Sequence, residues 1–239
     1  MRVSIHQPTY FPWLGLLDKI AKSDLFIVLN DVQANKKSNQ FRNEFFCEGK
    51  ARLLTLPVDY KLGKKINELK FTTDSWRYDH PNILKNYYMK APFFSREFEE
   101  VESLYHQYYN RPVDFVVATM LFAFNKLSIK VNLVFSEDLN VTGNKGEALI
   151  DICKKVNASK YISGLGGKNY LDEEILLKFK QENIELNWQR FNHPVYDQNP
   201  KFTFVEGLGF LDILFFTGTE TAKKIFWNNM QTDDPASVN

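Results

Sequence analysis

His6 and Gln7 end a short β-branched run, Val3-Ser4-Ile5. They lead into Pro8-Thr9-Tyr10-Phe11-Pro12-Trp13, where two prolines hold a turn open. Imidazole exchanges a proton near neutral pH, and a carboxamide beside it can donate to a developing oxyanion. A second histidine, His193, precedes Pro194 and is therefore held extended at the head of His193-Pro194-Val195-Tyr196-Asp197-Gln198. His6, Gln7 and His193 are the candidate catalytic residues. The competing readings are a buried His6 bonded to a backbone carbonyl and a His193 that serves only its turn.

Three more clusters carry groups suited to binding. Asn30, Asp31, Gln33, Lys36, Lys37, Asn39, Arg42 and Asn43 follow or adjoin an apolar run, and the cations could clamp a diphosphate, with Arg42 offering a two-pronged fork. The plainer reading is a solvated basic loop. Ser163-Gly164-Leu165-Gly166-Gly167-Lys168-Asn169-Tyr170 follows a short strand. Its three glycines would let the backbone take positive φ and approach a phosphate or carboxylate, with Lys168 alongside. A tight strand-to-helix turn capped by Asp172 explains the same residues. Tyr196 and Gln198, beside His193, form the last cluster, and Tyr10, Trp13 and Tyr196 could wall a pocket for a flat ligand. His80 either joins the site or caps a helix, and His106, amid tyrosines, is structural. The expected substrate-binding set is Tyr10, Trp13, Asp31, Gln33, Lys36, Asn39, Arg42, Asn43, His80, Ser163, Gly164, Gly166, Lys168, Tyr196 and Gln198.

Several chemistries have no support. No Gly-x-Ser-x-Gly elbow and no Lys-Ser/Thr phosphate loop occurs, and no His, Asp, Glu or Cys set has metal-ligand spacing. Cys47 and Cys153 lie outside the clusters and read as free thiols in a reducing compartment. A net charge of +1 argues against binding driven by nucleic-acid phosphates. The first strand begins at once, leaving no room for a signal peptide, and no apolar run is long enough to span a bilayer; both point to the cytoplasm.

The elements that must position these groups alternate. A strand at the N-terminus, a helix carrying Leu14, Leu17 and Ile20 on one face, and the run Leu25-Phe26-Ile27-Val28 make a βαβ unit of about thirty residues. Glu44–Cys47 and Arg52–Val58 flank Glu48-Gly49-Lys50 as a hairpin, and Ile66–Phe71 alternates like an edge strand. Helices are expected from Pro81 to Tyr88, Ser95 to Tyr108 and Pro112 to Leu127. Strands and helices then alternate from Val131 to Trp188, and Gly207–Phe216 and Thr219–Trp227 close the chain as helices. The expected fold is α/β: a Rossmann-like, mostly parallel sheet in one domain over 1–230, with a β-hairpin arm, a helical insertion at about 75–128 and a flexible tail at 231–239. In such a sheet the loops leaving the carboxyl edge meet, so His6, Gln7, Asp31, Arg42, Ser163 and His193 are expected to share one pocket.

In their order, these segments resemble the WbqC-like family. The resemblance is carried by His6-Gln7-Pro8-Thr9-Tyr10-Phe11-Pro12-Trp13-Leu14-Gly15, Asp31-Val32-Gln33, Arg42-Asn43, Leu54-Thr55-Leu56-Pro57-Val58, Ala91-Pro92-Phe93-Phe94, Tyr161-Ile162-Ser163-Gly164-Leu165-Gly166, His193–Gln198 and Leu211-Asp212-Ile213-Leu214-Phe215. It spans nearly the whole chain. Phe41, Gly209 and Phe216 depart from it, standing where the family tends to have Asn, Ser and Asn. The resemblance implies a part in making a bacterial surface polysaccharide such as O-antigen. From that setting we expect a transferase that N-acylates or aminoacylates a nucleotide-linked amino sugar, taking an acyl or aminoacyl donor and needing no bound cofactor. A glycosyltransferase using a nucleotide sugar and a non-catalytic scaffold are the alternatives. Neither a nucleic acid partner nor a membrane span is expected, and a homodimer is compatible with the reading.

Overall fold

A computed structural model describes residues 1–169 and 171–232. The chain forms two compact units and crosses between them more than once. The first comprises Met1–Gln7, Leu16–Val32 and Lys130–Phe191, the second Pro8–Gly15, Gln33–Ile129 and the chain from Asn192 onward.

The first unit is a parallel α/β sheet. Strands β1 (Arg2–His6) and β2 (Leu25–Val28) are joined through helix α1 (Leu14–Ala21). Then come β5 (Asn132–Phe135), α5 (Gly146–Lys155), β6 (Lys160–Ser163), α6 (Glu173–Gln181) and β7 (Glu185–Trp188). Among the described residues the strands lie in the order β5-β2-β1-β6-β7, every neighbouring pair parallel. A parallel strand is covered on both faces, which is why all four residues of β2 are buried and apolar. Val3 and Ile5 of β1 pack with Ile27, Ile152 and Cys153, and the ring of Tyr161 stacks on Phe179 at 5.6 Å. On the opposite face the buried Ser4 hydroxyl pairs with that of Ser23 at 2.8 Å. The strand order reverses at β1, so the carboxyl ends of β1 and β6 flank a topological switch point.

The second unit holds the hairpin β3 (Arg42–Cys47) and β4 (Lys50–Thr55), together with helices α2 (Trp76–Tyr88), α3 (Phe94–His106), α4 (Pro112–Leu127) and α7 (Leu211–Thr232). Glu48 and Gly49, at φ 50° and 77°, form the two-residue turn whose twist suits a hairpin. The core is aromatic: Trp76 lies 4.6 Å from Phe115 and stacks on Phe71 at 4.5 Å, between ring centroids. Helix α7 is broken at Gly218, whose φ of 74° and ψ of 163° separate the two helices expected there. Deep between α3 and α4, Lys126 meets Glu97 at 2.9 Å with side chains only 8% and 3% exposed.

Three local expectations differ from the structure. Ile66–Phe71 is no strand: a 3₁₀ turn, Ile66–Glu68, buries Ile66 and Leu69, whose spacing of three serves a turn as well as an edge. Pro81 lies inside α2 rather than at its start. The helix begins five residues earlier because Trp76 is 1% exposed in the aromatic core, and burying an indole outweighs one missing backbone bond. The third concerns the glycines after β6 and is taken up below. The last two residues of α7 fall inside the tail expected from 231, and the remaining tail residues, 233–239, lie outside the described residues.

Replacing Lys126 by Met removes the cation from a buried carboxylate. The variant should lose about 3 kcal/mol of stability, seen as a lower urea midpoint at unchanged slope.

Candidate functional site

At the carboxyl end of β1, His6 points its Nδ1 at the carbonyl of Gln7, 2.8 Å away. That oxygen can only accept, so Nδ1 carries the proton, and in the neutral ring Nε2 keeps the lone pair. No group among the described residues bonds Nε2. Helix α1 then brings a cation to the same place. Lys19, only 4% exposed, donates from Nζ to the Ile5 carbonyl at 3.1 Å and has no acidic partner among the described residues. Burial pushes the Lys19 amine down to about 7. Burial of the ring, with Lys19 nearby, lowers His6 to about 3. His6 is therefore neutral throughout the physiological range and presents Nε2 as a hydrogen-bond acceptor.

The neighbouring strand ends are stitched to one another. Asn30 is fully buried; its backbone N–H donates to the Ser136 hydroxyl at 3.1 Å, and its Oδ1 accepts from the Glu137 N–H at 3.3 Å. The same Ser136 hydroxyl donates to the Asp31 carboxylate. One donor is left over: Asn30 Nδ2 is buried with no hydrogen-bond partner among the described residues. After β6 the backbone coils as a 3₁₀ turn, Leu165–Asn169. Contrary to expectation, Gly164, Gly166 and Gly167 are absent from the positive-φ positions. Gly167 is needed for another reason, since a Cβ there would stand 2.3 Å from the Ser163 hydroxyl oxygen. The close approach is thus internal. Gly166 has open space around it, Ser163 is buried, and Lys168 lies over the Trp188 ring at 5.5 Å. Asp172 caps α6 by accepting from the Ile175 N–H at 3.0 Å, as the turn reading anticipated. Tyr170 lies outside the described residues. Beyond β7 the Gln189 amide donates to the buried Asp18 of α1 at 2.6 Å, and Lys22 reaches the same carboxylate at 2.9 Å.

The first unit therefore brings His6, Gln7, Asp31, Ser163, Gly164, Gly166 and Lys168 to one edge of one sheet. The other candidates belong to the second unit, where several are bonded to one another. Tyr10 is buried; its hydroxyl meets His80 Nδ1 at 3.1 Å and the Tyr105 hydroxyl, while His80 also bonds the Thr55 carbonyl. Burial drives His80 down to about 4. Asn43 is equally committed: its Nδ2 donates to the carbonyls of Tyr10 at 2.9 Å and Phe11 at 2.8 Å, bracing Phe11 at a φ of 41°. The Trp13 ring packs so closely over Gly15 that a Cβ there would lie 2.1 Å from it. Asn39, exposed, accepts the Tyr10 N–H through its backbone carbonyl at 3.2 Å. Gln33 pairs with Lys65 in an isolated antiparallel bridge, Lys36 is exposed, and Arg42 donates to the Lys37 carbonyl.

His193 repeats the pattern of His6, with Nδ1 at 2.9 Å from the carbonyl of the next residue, Pro194. Its ring lies 5.8 Å from Phe204 and 6.3 Å from Tyr196, and burial lowers its pKa. The loop that follows is fastened to Asp212, in the first turn of α7. This carboxylate is fully buried and accepts from the Tyr196 hydroxyl at 2.6 Å, Gln198 Nε2 at 2.6 Å and the Tyr88 hydroxyl at 3.1 Å. Burial raises it to about 6, against those three bonds. Asp212 and Lys19 were not singled out from the sequence as site groups. The signal was there for Asp212, a charged residue inside the apolar helix run Leu211–Phe216.

A family model described as the WbqC-like protein family matches residues 7–224, nearly the full length, and the chain belongs to that family. It is also similar to a protein of Mycobacterium tuberculosis described as uncharacterized protein Rv1507c. The two are 28% identical over 224 residues, which cover 92% of this chain and 95% of that protein. No solved structure matches the chain.

Asp212 gives a pH signature of known sign. It holds its proton up to about 6 in the folded chain, against an ordinary value of 3.8, so folding binds a proton between those values. The stabilisation is complete at the acid end and is lost as pH rises from about 4 to 6, by about 3 kcal/mol in all. His6 has the opposite slope: depressed to about 3 from 6.5, it costs stability as pH falls through that interval. Comparing Asp212→Asn with the parent by chemical unfolding at a series of pH values isolates the carboxylate. The variant should lose the decline between pH 4 and 6 while keeping the histidine slope.

Proposed function

We propose that this member of the WbqC-like protein family is a transferase of bacterial surface-glycan synthesis that N-acylates or aminoacylates the amine of a nucleotide-activated amino sugar. The observation that carries this reading is that an acceptor and a donor are left over at the carboxyl edge of one parallel sheet, His6 Nε2 after β1 and Asn30 Nδ2 after β2. A buried donor without a partner is unfavourable by about 1–3 kcal/mol, and a ligand oxygen would satisfy it.

Acyl transfer to an amine needs a deprotonated nitrogen aimed at the acyl carbonyl, and a donor for the tetrahedral oxyanion. In this reading His6 accepts from the sugar amine and orients its lone pair. With a pKa of about 3 it positions the nucleophile and stores no proton. Lys19, held near 7, has the pKa suited to receive that proton at neutral pH. Gln7 or Asn30 donates to the oxyanion, and Lys168 attracts the diphosphate. The bond formed is amine nitrogen to acyl carbon, and the bond broken is acyl carbon to the donor's leaving group, while the sugar–diphosphate linkage stays intact.

Mass spectrometry of the protein incubated with a panel of nucleotide-linked amino sugars and acyl donors tests this directly. The expected product is a heavier nucleotide sugar with its diphosphate intact. Release of nucleoside diphosphate would instead mean glycosyl transfer, and no turnover with tight binding would mean a scaffold. His6→Ala should lower kcat/KM by about a hundredfold, and Lys19→Met should remove the limb near pH 7 from the rate profile.

A further inference from the structure

Two loops of the second unit, more than twenty residues apart in sequence, are joined at their bases. Gln33 and Lys65 form an antiparallel bridge, and the Ala34 N–H donates to the Lys64 carbonyl at 2.9 Å. In an antiparallel pair, going forward from one residue runs beside going backward from the other. The turns at 35–38 and 61–64 therefore leave the bridge on the same side.

Both turns are closed by backbone bonds. Ser38 N–H donates to the Asn35 carbonyl at 3.1 Å, placing Lys36 and Lys37 at the tip of the first. Lys64 N–H donates to the Lys61 carbonyl at 3.1 Å, and Gly63 follows Leu62 at a φ of 86°. A positive φ at the third position is the mark of a type II turn and puts Leu62 at its corner. Leu62 is 93% exposed, the most open large apolar side chain among the described residues. The two turns and their flanks carry Lys36, Lys37, Lys61, Lys65 and Lys70, all exposed and without an ion pair among the described residues, while Lys64 is paired with Asp59. Residues 33–42 and 59–70 hold seven basic side chains and two carboxylates in a chain whose net charge is +1. The rest of the protein is acidic, so the positive field is concentrated here.

A lone exposed leucine needs no explanation, and neither does a basic loop. An apolar side chain held at the corner of a turn, with free lysines on both sides, has the form of a contact with an anionic lipid surface: the leucine enters the headgroup layer and the lysines meet the phosphates. We propose that this double turn docks the protein peripherally on an anionic bilayer, with Leu62 as the inserted group.

Co-sedimentation with vesicles tests this on the intact chain. Vesicles of phosphatidylglycerol mixed with phosphatidylcholine should retain the protein, pure phosphatidylcholine should not, and raised salt should release it. Leu62→Ser should weaken partitioning by about tenfold. Lys36→Glu with Lys37→Glu should weaken it by at least about fivefold for each lysine. Both sites are exposed turn tips, so folding is preserved, and Lys180→Glu on α6 controls for overall charge. Retention unaffected by Leu62→Ser, equal retention on neutral vesicles, or equal loss with Lys180→Glu would overturn the proposal. Binding to heparin that ignores Leu62, with no vesicle binding, would assign the patch to a soluble polyanion and overturn it equally.

Discussion

The reversal of strand order at β1 is the constraint on which the first unit depends. Parallel strands need crossovers, and crossovers cover both faces of the sheet, so polar groups have room only at its ends. β1 is the strand on which the order turns, with β2 on one side and β6 on the other. Its carboxyl end is where loops depart in opposite directions and leave a gap. His6, Asn30, Asp31 and Ser163 reach that edge because each ends or follows a strand of this sheet. Lys19 reaches it from a helix, with the Ile5 carbonyl holding its ammonium in place.

The two buried ionisable centres use opposite strategies. Among the described residues Lys19 has one carbonyl and no anion, so its charge is poorly supported and its proton is loosely held. Asp212 has three neutral donors and the start of a helix behind it, and still its carboxylate is costly enough to hold a proton near pH 6. The first centre suits a group that changes charge when something binds. The second fastens: Asp212 ties Tyr196 and Gln198 to Tyr88, and so sets where His193 stands.

Much of this was legible in the chain. The run from Val3 to Ile5, the apolar Leu25–Val28 and the prolines at 112 and 194 each act through neighbours within a few residues, and there the structure follows the sequence. The hairpin was legible from its turn residues, with bounds that shifted by a few positions. What stayed hidden depends on partners far away. Tyr10 and His80 read as substrate contacts because both are polar and aromatic; only the fold brings Tyr105 to the same point. Asn43 sits in a polar loop by sequence, yet its amide is spent on two carbonyls more than thirty residues earlier. The glycines after β6 suggested backbone freedom, whereas Gly167 is there to make room for the Ser163 hydroxyl. Alternation at Ile66–Phe71 misleads because a spacing of three and a spacing of two share too few residues there to be told apart.

Phe11 has a further consequence, in the order of assembly. A bulky residue at positive φ is unfavourable by about 1–2 kcal/mol, and nothing within its own segment offsets this. The offset comes from partners far along the chain: Asn43 Nδ2 donates to the Phe11 carbonyl at 2.8 Å, and the Phe11 N–H donates to the Thr119 hydroxyl at 3.0 Å. The N-terminal turn, first to be synthesised, therefore owes its native shape to groups that later segments supply. β3 and α4 together hold the beginning of the protein in a shape its own residues do not favour.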